Sequence, residues 1–249
     1  MNSYGTVVGS AVFANAPSQG FIRYAGGGVK YYLVPNSLFT SFTGRNDKGV
    51  LIGTYALIGT VTVKSFILNG STFTSISFPQ RGPRGTVVTG INKWNTVVGY
   101  YIDSNQMYHG FKRYSNGSVV TLDYPGAQST SPAAINDFGT IVGGYSGASS
   151  SGSFIYHNGQ WATLDFSAES VGEGTSTGAV GISNAGVIAG ISSWRFAFTF
   201  LYDHGVFKDV DDPAADFGLT VANDMAPNGL LAGSESINSV YNGFTATCN

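Results

Sequence analysis

The sequence has 249 residues, of which 35 are Gly and one is Cys; 14% are aromatic and only 10% charged, far below the roughly 25% charge of an ordinary soluble domain. A hydrophobic fraction of 43% excludes intrinsic disorder, Gly without a three-residue period excludes collagen, no apolar run reaches the roughly 20 residues of a spanning helix, and the lone Cys248 excludes an intrachain disulfide. The net charge of −2 hides an asymmetry: residues 1–122 carry ten Lys or Arg against Asp47 and Asp103, a net of +8, while residues 123–249 carry Arg195 and Lys208 against twelve acids, a net of −10.

Residues 1–20 have no basic start and no continuous apolar stretch, so they do not read as a signal peptide. The first element is Gly5-Thr-Val-Val-Gly9. Its pattern returns at 49–53, 95–99, 139–143, 186–190 and 229–233, with the last Gly stepping by 44, 46, 44, 47 and 43 residues. A second strand follows in each copy, at 20–24, 65–68, 110–114, 153–156, 199–202 and 243–245. A third is present five times, at 29–35, 72–79, 118–125, 160–166 and 206–213. A fourth, rich in small residues, leads into the next copy at 39–44, 86–91, 132–135, 178–182 and 219–222. All are short, rich in β-branched and aromatic residues, and bounded by turn residues; none has helical periodicity.

The turns have a mechanism. Asn69-Gly70, Asn116-Gly117 and Asn158-Gly159 separate second from third strands, where a tight hairpin needs positive φ. Asn46-Asp-Lys-Gly49 and Asn136-Asp-Phe-Gly139 join the fourth strand to the next first strand, with an Asn side chain to bond backbone amides and a Gly for the left-handed position, which Asn95 takes in the third copy. The second Gly of each motif is expected to admit a neighbouring strand or ring. A four-stranded unit of about 45 residues repeated in series is the signature of a β-propeller. The expectation is one all-β domain over 1–249: six blades, the first lacking an inner strand and the last an outer one, or alternatively five blades plus an extra hairpin.

The run Ile91-Asn92…Val97-Val98-Gly99-Tyr100, then His109-Gly110-Phe111, then Leu122-Asp123-Tyr124-Pro125-Gly126 resembles the HAF-type extracellular repeat of bacteria and archaea, a family named for a His-Ala-Phe at the start of the second strand. The resemblance runs through nearly the whole chain in six phased copies. Only His109 keeps the His; the other copies have Gln19, Lys64, Gly152, Phe198 and Asn242. The resemblance implies a propeller-like exported protein and carries over no catalytic residue. The Ser-, Thr-, Asn- and Gly-rich, Lys-poor composition agrees with secretion.

Connections after the first and third strands are long, and strand alternation puts them on one face, the place where repeat proteins bind. Tyr55, Tyr101, Tyr145, Trp194, His109 and Arg84 lie in or beside them and are the candidate contacts. Their rings either stack on sugars or another protein, or cover the Gly-rich strands of their own blade. Three histidines at different phases make no zinc cluster. The reading calls for no cofactor; Asp209, Asp211, Asp212 and Asp216 with Glu169 and Glu173 are a candidate Ca²⁺ set or a solvated acidic surface. Gly174-Thr-Ser-Thr-Gly178 matches a nucleophile elbow by letter, but that motif needs a strand–helix turn. No basic run exceeds two residues, which speaks against nucleic acid. The expectation is therefore a secreted or surface recognition module for glycans or a protein partner. The alternative is a hydrolase or lyase with one asymmetric pocket drawing on His109, Arg81, Arg84, Glu169 and Glu173. The uneven charge adds an expectation of charge-driven self-association. Equivalent aromatic pockets in several blades would favour binding; one pocket of converging, perturbed ionisable groups would favour catalysis.

Overall fold

A computed structural model describes residues 1–60, 62–78, 82, 84–148, 150–164, 176–193, 197–210 and 220–247. Among these the chain is all strand and turn. β1 (Val7–Phe13), β2 (Ala16–Arg23) and β3 (Val29–Tyr32) form an antiparallel three-stranded run. Four four-stranded meanders follow: β4 (Ser37–Arg45), β5 (Leu51–Leu57), β6 (Lys64–Asn69) and β7 (Thr72–Ile76); β8 (Thr86–Ile91), β9 (Val97–Ile102), β10 (Tyr108–Arg113) and β11 (Val119–Leu122); β12 (Ser129–Ile135), β13 (Ile141–Ser146), β14 (Ser151–His157) and β15 (Gln160–Leu164); β16 (Ser176–Ile182), β17 (Ile188–Ser193), β18 (Ala197–Asp203) and β19 (Val206–Val210). β20 (Thr220–Met225), β21 (Leu230–Ile237) and β22 (Val240–Thr247) make a three-stranded sheet.

The blade count is corrected from six, or five with a hairpin, to four complete blades among the described residues. The repeat is present at both ends, but a repeat of hairpins is not a set of blades. The first three strands have no fourth partner of their own and join β4 through a single parallel bridge, Ser18 to Phe39, so that they and the first blade form one seven-stranded sheet. The last three strands stop at β22 as an edge. The chain divides into two compact units, Met1–Pro132 and Ala133–Asn249, with the boundary inside β12.

Each blade is built around one cross-strand pair. The second Gly of every motif lies directly opposite a Phe: Gly9 to Phe21, Gly53 to Phe66, Gly99 to Phe111, Gly143 to Phe154, Gly190 to Phe200 and Gly233 to Phe244. The ring lies over the bare Cα; a Cβ on Gly53 would meet Phe66 Cζ at 2.7 Å and the Ser41 carbonyl oxygen. Phe66, Phe111, Phe154 and Phe200 are fully buried. In the first unit the core consists of Phe42, Leu51, Tyr55 and Phe66 in one cluster and Ile52, Val88, Val97 and Phe111 in the next. In the second it runs through Val142, Leu164, Ile188 and Phe200, then Leu201, Met225 and Leu231.

The Asn turns link successive repeats. Asn46 Oδ1 accepts the Val50 amide at 3.0 Å, closing its own turn, while its Nδ2 donates to the Asn92 carbonyl one repeat on at 2.9 Å. Asn136 repeats this in the second unit, accepting from Thr140 and donating to the Ser183 carbonyl, both at 3.0 Å. Gly5, Gly49, Gly139, Gly186 and Gly229 all have positive φ, and Asn95 takes the same conformation at 60°.

Candidate functional site

The pleat of the second complete blade collects its functional side chains on one face. His109 lies directly opposite Tyr101, Phe111 opposite Thr121, and Arg113 opposite Val119. Alternation then puts Tyr101, His109, Phe111, Arg113, Val119 and Thr121 on the same side of the sheet. Facing them is the end of the preceding blade, Ser75 to Phe78. Between the two lies a cleft of about 430 Å³ lined by Ser75, Ser77, Phe78, Tyr101, Arg113 and Thr121, with Ile76, Gly117 and Val119 completing the wall.

Phe78 stands where Val34 and Tyr124 stand in other repeats, one residue before a Pro, and the connection that follows it differs in length. The buried hydroxyl of Thr40 accepts the Val34 amide six residues before it, at 2.9 Å, and Thr130 accepts the Tyr124 amide, also six before, at 2.8 Å. The corresponding Thr86 follows Phe78 by eight, and its buried Oγ1 has no hydrogen-bond partner among the described residues. The Phe78 ring packs at 4.5 Å on Phe111 and stacks on Tyr101 at 5.2 Å.

Tyr101 is covered on both faces, by Phe78 and by His109 at 5.0 Å and 22°. It therefore presents its edge and hydroxyl to the cleft rather than a stacking surface. Burial, and then the charges of Asp123 and Asp103, push its phenol above the ordinary tyrosine range. His109 is pinned by the same two acids, with Nδ1 3.1 Å from Asp123 Oδ2 and Nε2 3.5 Å from Asp103 Oδ2. Asp103 also closes its loop, accepting the amides of Asn105 at 2.8 Å and Met107 at 2.9 Å. The Met107 amide, with help from Asn105 and His109 and against a smaller desolvation effect, holds that carboxyl below its ordinary value. Arg113 is different. Among the described residues its one polar contact is a 3.5 Å approach to the Tyr114 carbonyl, and no carboxylate among them pairs with it.

The sequence-expected contacts scatter. Tyr101 and His109 meet, as above. Tyr55 is corrected: it is buried, edge-on to Phe66 at 6.0 Å and Phe73 at 5.7 Å, so its ring is part of the core. Tyr145 lies over Gly152, its cross-strand partner, where a Cβ would meet its hydroxyl at 3.2 Å. Arg84 is exposed and is not in the cleft lining. Trp194, Arg81, Glu169, Glu173, Asp211, Asp212 and Asp216 lie outside the described residues. Ser176 opens the strand β16, not a strand–helix turn. Sequence reasoning missed Phe78, Ser75, Ser77, Arg113 and Thr121, which belong to different repeats. The register of Arg113, two residues after the buried Phe, was the available signal.

A second cleft of about 300 Å³ lies in the other unit, lined by Val187, Leu201, Lys208, Asp209, Leu231 and Ala246 among others. Ala246, two residues after Phe244, holds the register that Arg113 holds after Phe111, and the described wall mixes aliphatic side chains with Asp203, Lys208 and Asp209. The two clefts are not copies of one aromatic pocket. Nor is either a set of perturbed acids and bases: among the described residues the resolved pKa shifts fall on Tyr100, Tyr101 and Asp103. No group of three or more His, Cys, Asp or Glu able to hold a metal occurs among the described residues. Among them, too, no helix is long and apolar enough to cross a membrane.

No protein-family model matches the sequence, and no curated protein matches it. Solved structures do resemble the fold. The β-propeller domain of the Trilobed protease from Pyrococcus furiosus superposes with a TM-score of 0.61 at 10% identity, over 96% of this chain and 75% of that one. A chain from a structural study of two prolyl endopeptidases gives 0.59 at 11%, covering 99% of this chain; this chain spans only 40% of that one. A fucose-specific lectin from Aleuria aurantia gives 0.54 at 12%, over 95% and 85%. With the four-bladed meander they establish an all-β propeller arrangement.

Proposed function

We propose that this chain is a secreted or surface recognition module that binds glycans in the cleft between its first two complete blades. The observation that carries the reading is the cleft itself. The hydroxyls of Ser75, Ser77, Thr121 and Tyr101 line it beside the apolar surfaces of Phe78 and Val119, and none makes a side-chain hydrogen bond to another described residue. A sugar offers the complement, hydroxyls around its rim and apolar C–H faces. The cleft's volume lies within the roughly 300–1,000 Å³ of small-molecule sites. The lectin of similar fold adds support. The resemblance to the HAF-type repeat supports export. The binding surface of this proposal runs along the flank of β11 from Tyr101 to the turn at Gly117, rather than over the loop tips.

The test is a broad glycan array probed with the full chain, with calcium and again with EDTA. Selective retention of a glycan set is expected, weakened by Thr121→Val and Tyr101→Phe, which remove hydroxyls and keep shape. An array on which nothing binds under either condition would sink the glycan reading.

A further inference from the structure

Among the described residues, Arg113 is the only cationic side chain in the lining of the larger of the two clefts. Its guanidinium has no carboxylate partner among the described residues, and the groups around it are neutral: three aliphatic hydroxyls, a phenol and apolar carbon. A planar fork of donors so placed has unmet capacity for a bidentate anion. The other cleft has Ala246 in the register of Arg113, and its own cation, Lys208, shares the lining with Asp203 and Asp209, so of the two clefts only the first sets a cation among neutral described groups.

Resting on the glycan reading, we propose that the cleft selects acidic sugars, and that Arg113 receives the carboxylate of a uronic- or sialic-acid residue while Ser75, Ser77 and Thr121 meet its hydroxyls. Two features limit the anion to a single charge. One guanidinium neutralises one negative charge. At the other end of the cleft Asp103 and Asp123 stand near Tyr101, where a dianion such as a phosphate monoester meets repulsion; His109 lies between these two acids and offsets only part of their field. A sulfate ester is also a monoanion, but it is tetrahedral. The fork can pair with either, but a sulfate spreads its charge over three weakly basic oxygens, whereas a carboxylate concentrates it on two stronger acceptors.

The experiment is an array on which each uronic- and sialic-acid glycan is printed beside its carboxyl-reduced alcohol and a sulfated analogue, followed by calorimetry on the best binder. The carboxylate form should bind at least about tenfold more tightly than its reduced partner, as expected for a hydrogen bond to a charged group. Arg113→Lys keeps the charge and stem but loses the fork, and should lose most of the preference; Arg113→Ala should lose all of it. Arg23, exposed at the same register in the first sheet, supplies the control, and Arg23→Ala should change nothing. Circular dichroism melts show which variants are folded, and Arg113→Lys keeps the test decisive if Arg113→Ala is not. Equal binding of acid and reduced alcohol would overturn this inference and leave the glycan reading standing. Stronger binding of the sulfated analogue would overturn the choice of carboxylate. An array on which no glycan binds would overturn both.

Discussion

Ser65 shows what one hydroxyl does between blades. Its Oγ donates to the Thr86 carbonyl at 2.7 Å and accepts the Val88 amide at 3.0 Å, so a side chain of one blade satisfies the backbone of the next blade's first strand. Thr199 does the same, donating to the Thr220 carbonyl at 2.9 Å and accepting from Ala222 at 2.7 Å. Ser153 accepts from Ala179 at 3.1 Å. Gly holds this position at 20 and 110, and there a bulkier partner fills the space: a Cβ on Gly20 would meet Phe42 at 2.7 Å, and one on Gly110 would meet Pro132 at 2.9 Å and the Leu122 carbonyl oxygen. Ser65→Ala leaves a buried donor and acceptor unpaired and should cost ~1–3 kcal/mol in urea unfolding. Thr199→Val, which keeps the branched shape, should cost a similar amount, whereas Gly110→Ser should destabilise by clash instead of adding a bond. A Ser65→Ala midpoint equal to the parent's would show that the latch contributes nothing. The alternation of Gly with Ser or Thr just before a Phe was visible in the sequence. Its meaning was not, because the partner lies about 21 residues on, in another strand.

At the scale of the element, the repeat made strand order and turns legible, since every turn needed a residue tolerant of positive φ and the sequence supplied Gly or Asn. The bulges were less so. The register slips between Phe42 and Gly44, Val88 and Gly90, Ala179 and Gly181, and Ala222 and Asp224, each time just past the residue that faces the motif Gly. Three of the four slips end on Gly, a hint in the sequence, but Asp224 fills the fourth. The bulge turns Thr89 toward Pro132, whose carbonyl its hydroxyl reaches at 2.8 Å. The motif Gly is a tightly constrained position in the blade. Gly53→Ala drives a methyl into the Phe66 ring and into the backbone oxygen of Ser41, and backbone cannot swing aside as a side-chain end can. We expect a loss of ~2–4 kcal/mol, within the range for overpacking with backbone displacement. Gly178, where no described atom lies within 4 Å of the place a Cβ would take, should accept Ala without loss. Chemical denaturation of the two variants side by side checks the contrast, and equal stabilities would disprove the account of the Gly–Phe pair.

For the whole molecule, the fold class was legible and the cleft was not, for one physical reason. A repeat advertises what each copy shares, whereas a cleft between blades depends on which side chains of two neighbouring copies meet: Ser75, Ser77 and Phe78 from one with Arg113 and Thr121 from the next, although Arg23 holds the register of Arg113, and Ser75 and Thr163 that of Thr121. The charge asymmetry, by contrast, was legible and gains meaning from the structure, because its dividing line nearly coincides with a structural one. Met1–Pro132 holds ten Lys or Arg and three acids, and Ala133–Asn249 holds two and eleven. Each compact unit thus carries charge of one sign, +7 and −9, although the chain as a whole is almost neutral. Two copies can therefore attract through unlike units where a uniformly charged chain of net −2 would feel almost nothing. The Debye length is ~30 Å at 0.01 M salt and ~3 Å at 1 M, so such attraction is strong in the first condition and absent in the second. Sedimentation velocity across that range should show the average mass falling toward the monomer as salt rises. Reversing the sign of Lys30 and Lys48, both on the positive unit and distant in sequence from the cleft residues, should shift the low-salt distribution toward monomer. An unchanged monomer at every salt concentration would mean that the opposite charges act only within one chain, and the asymmetry would then have no role in assembly.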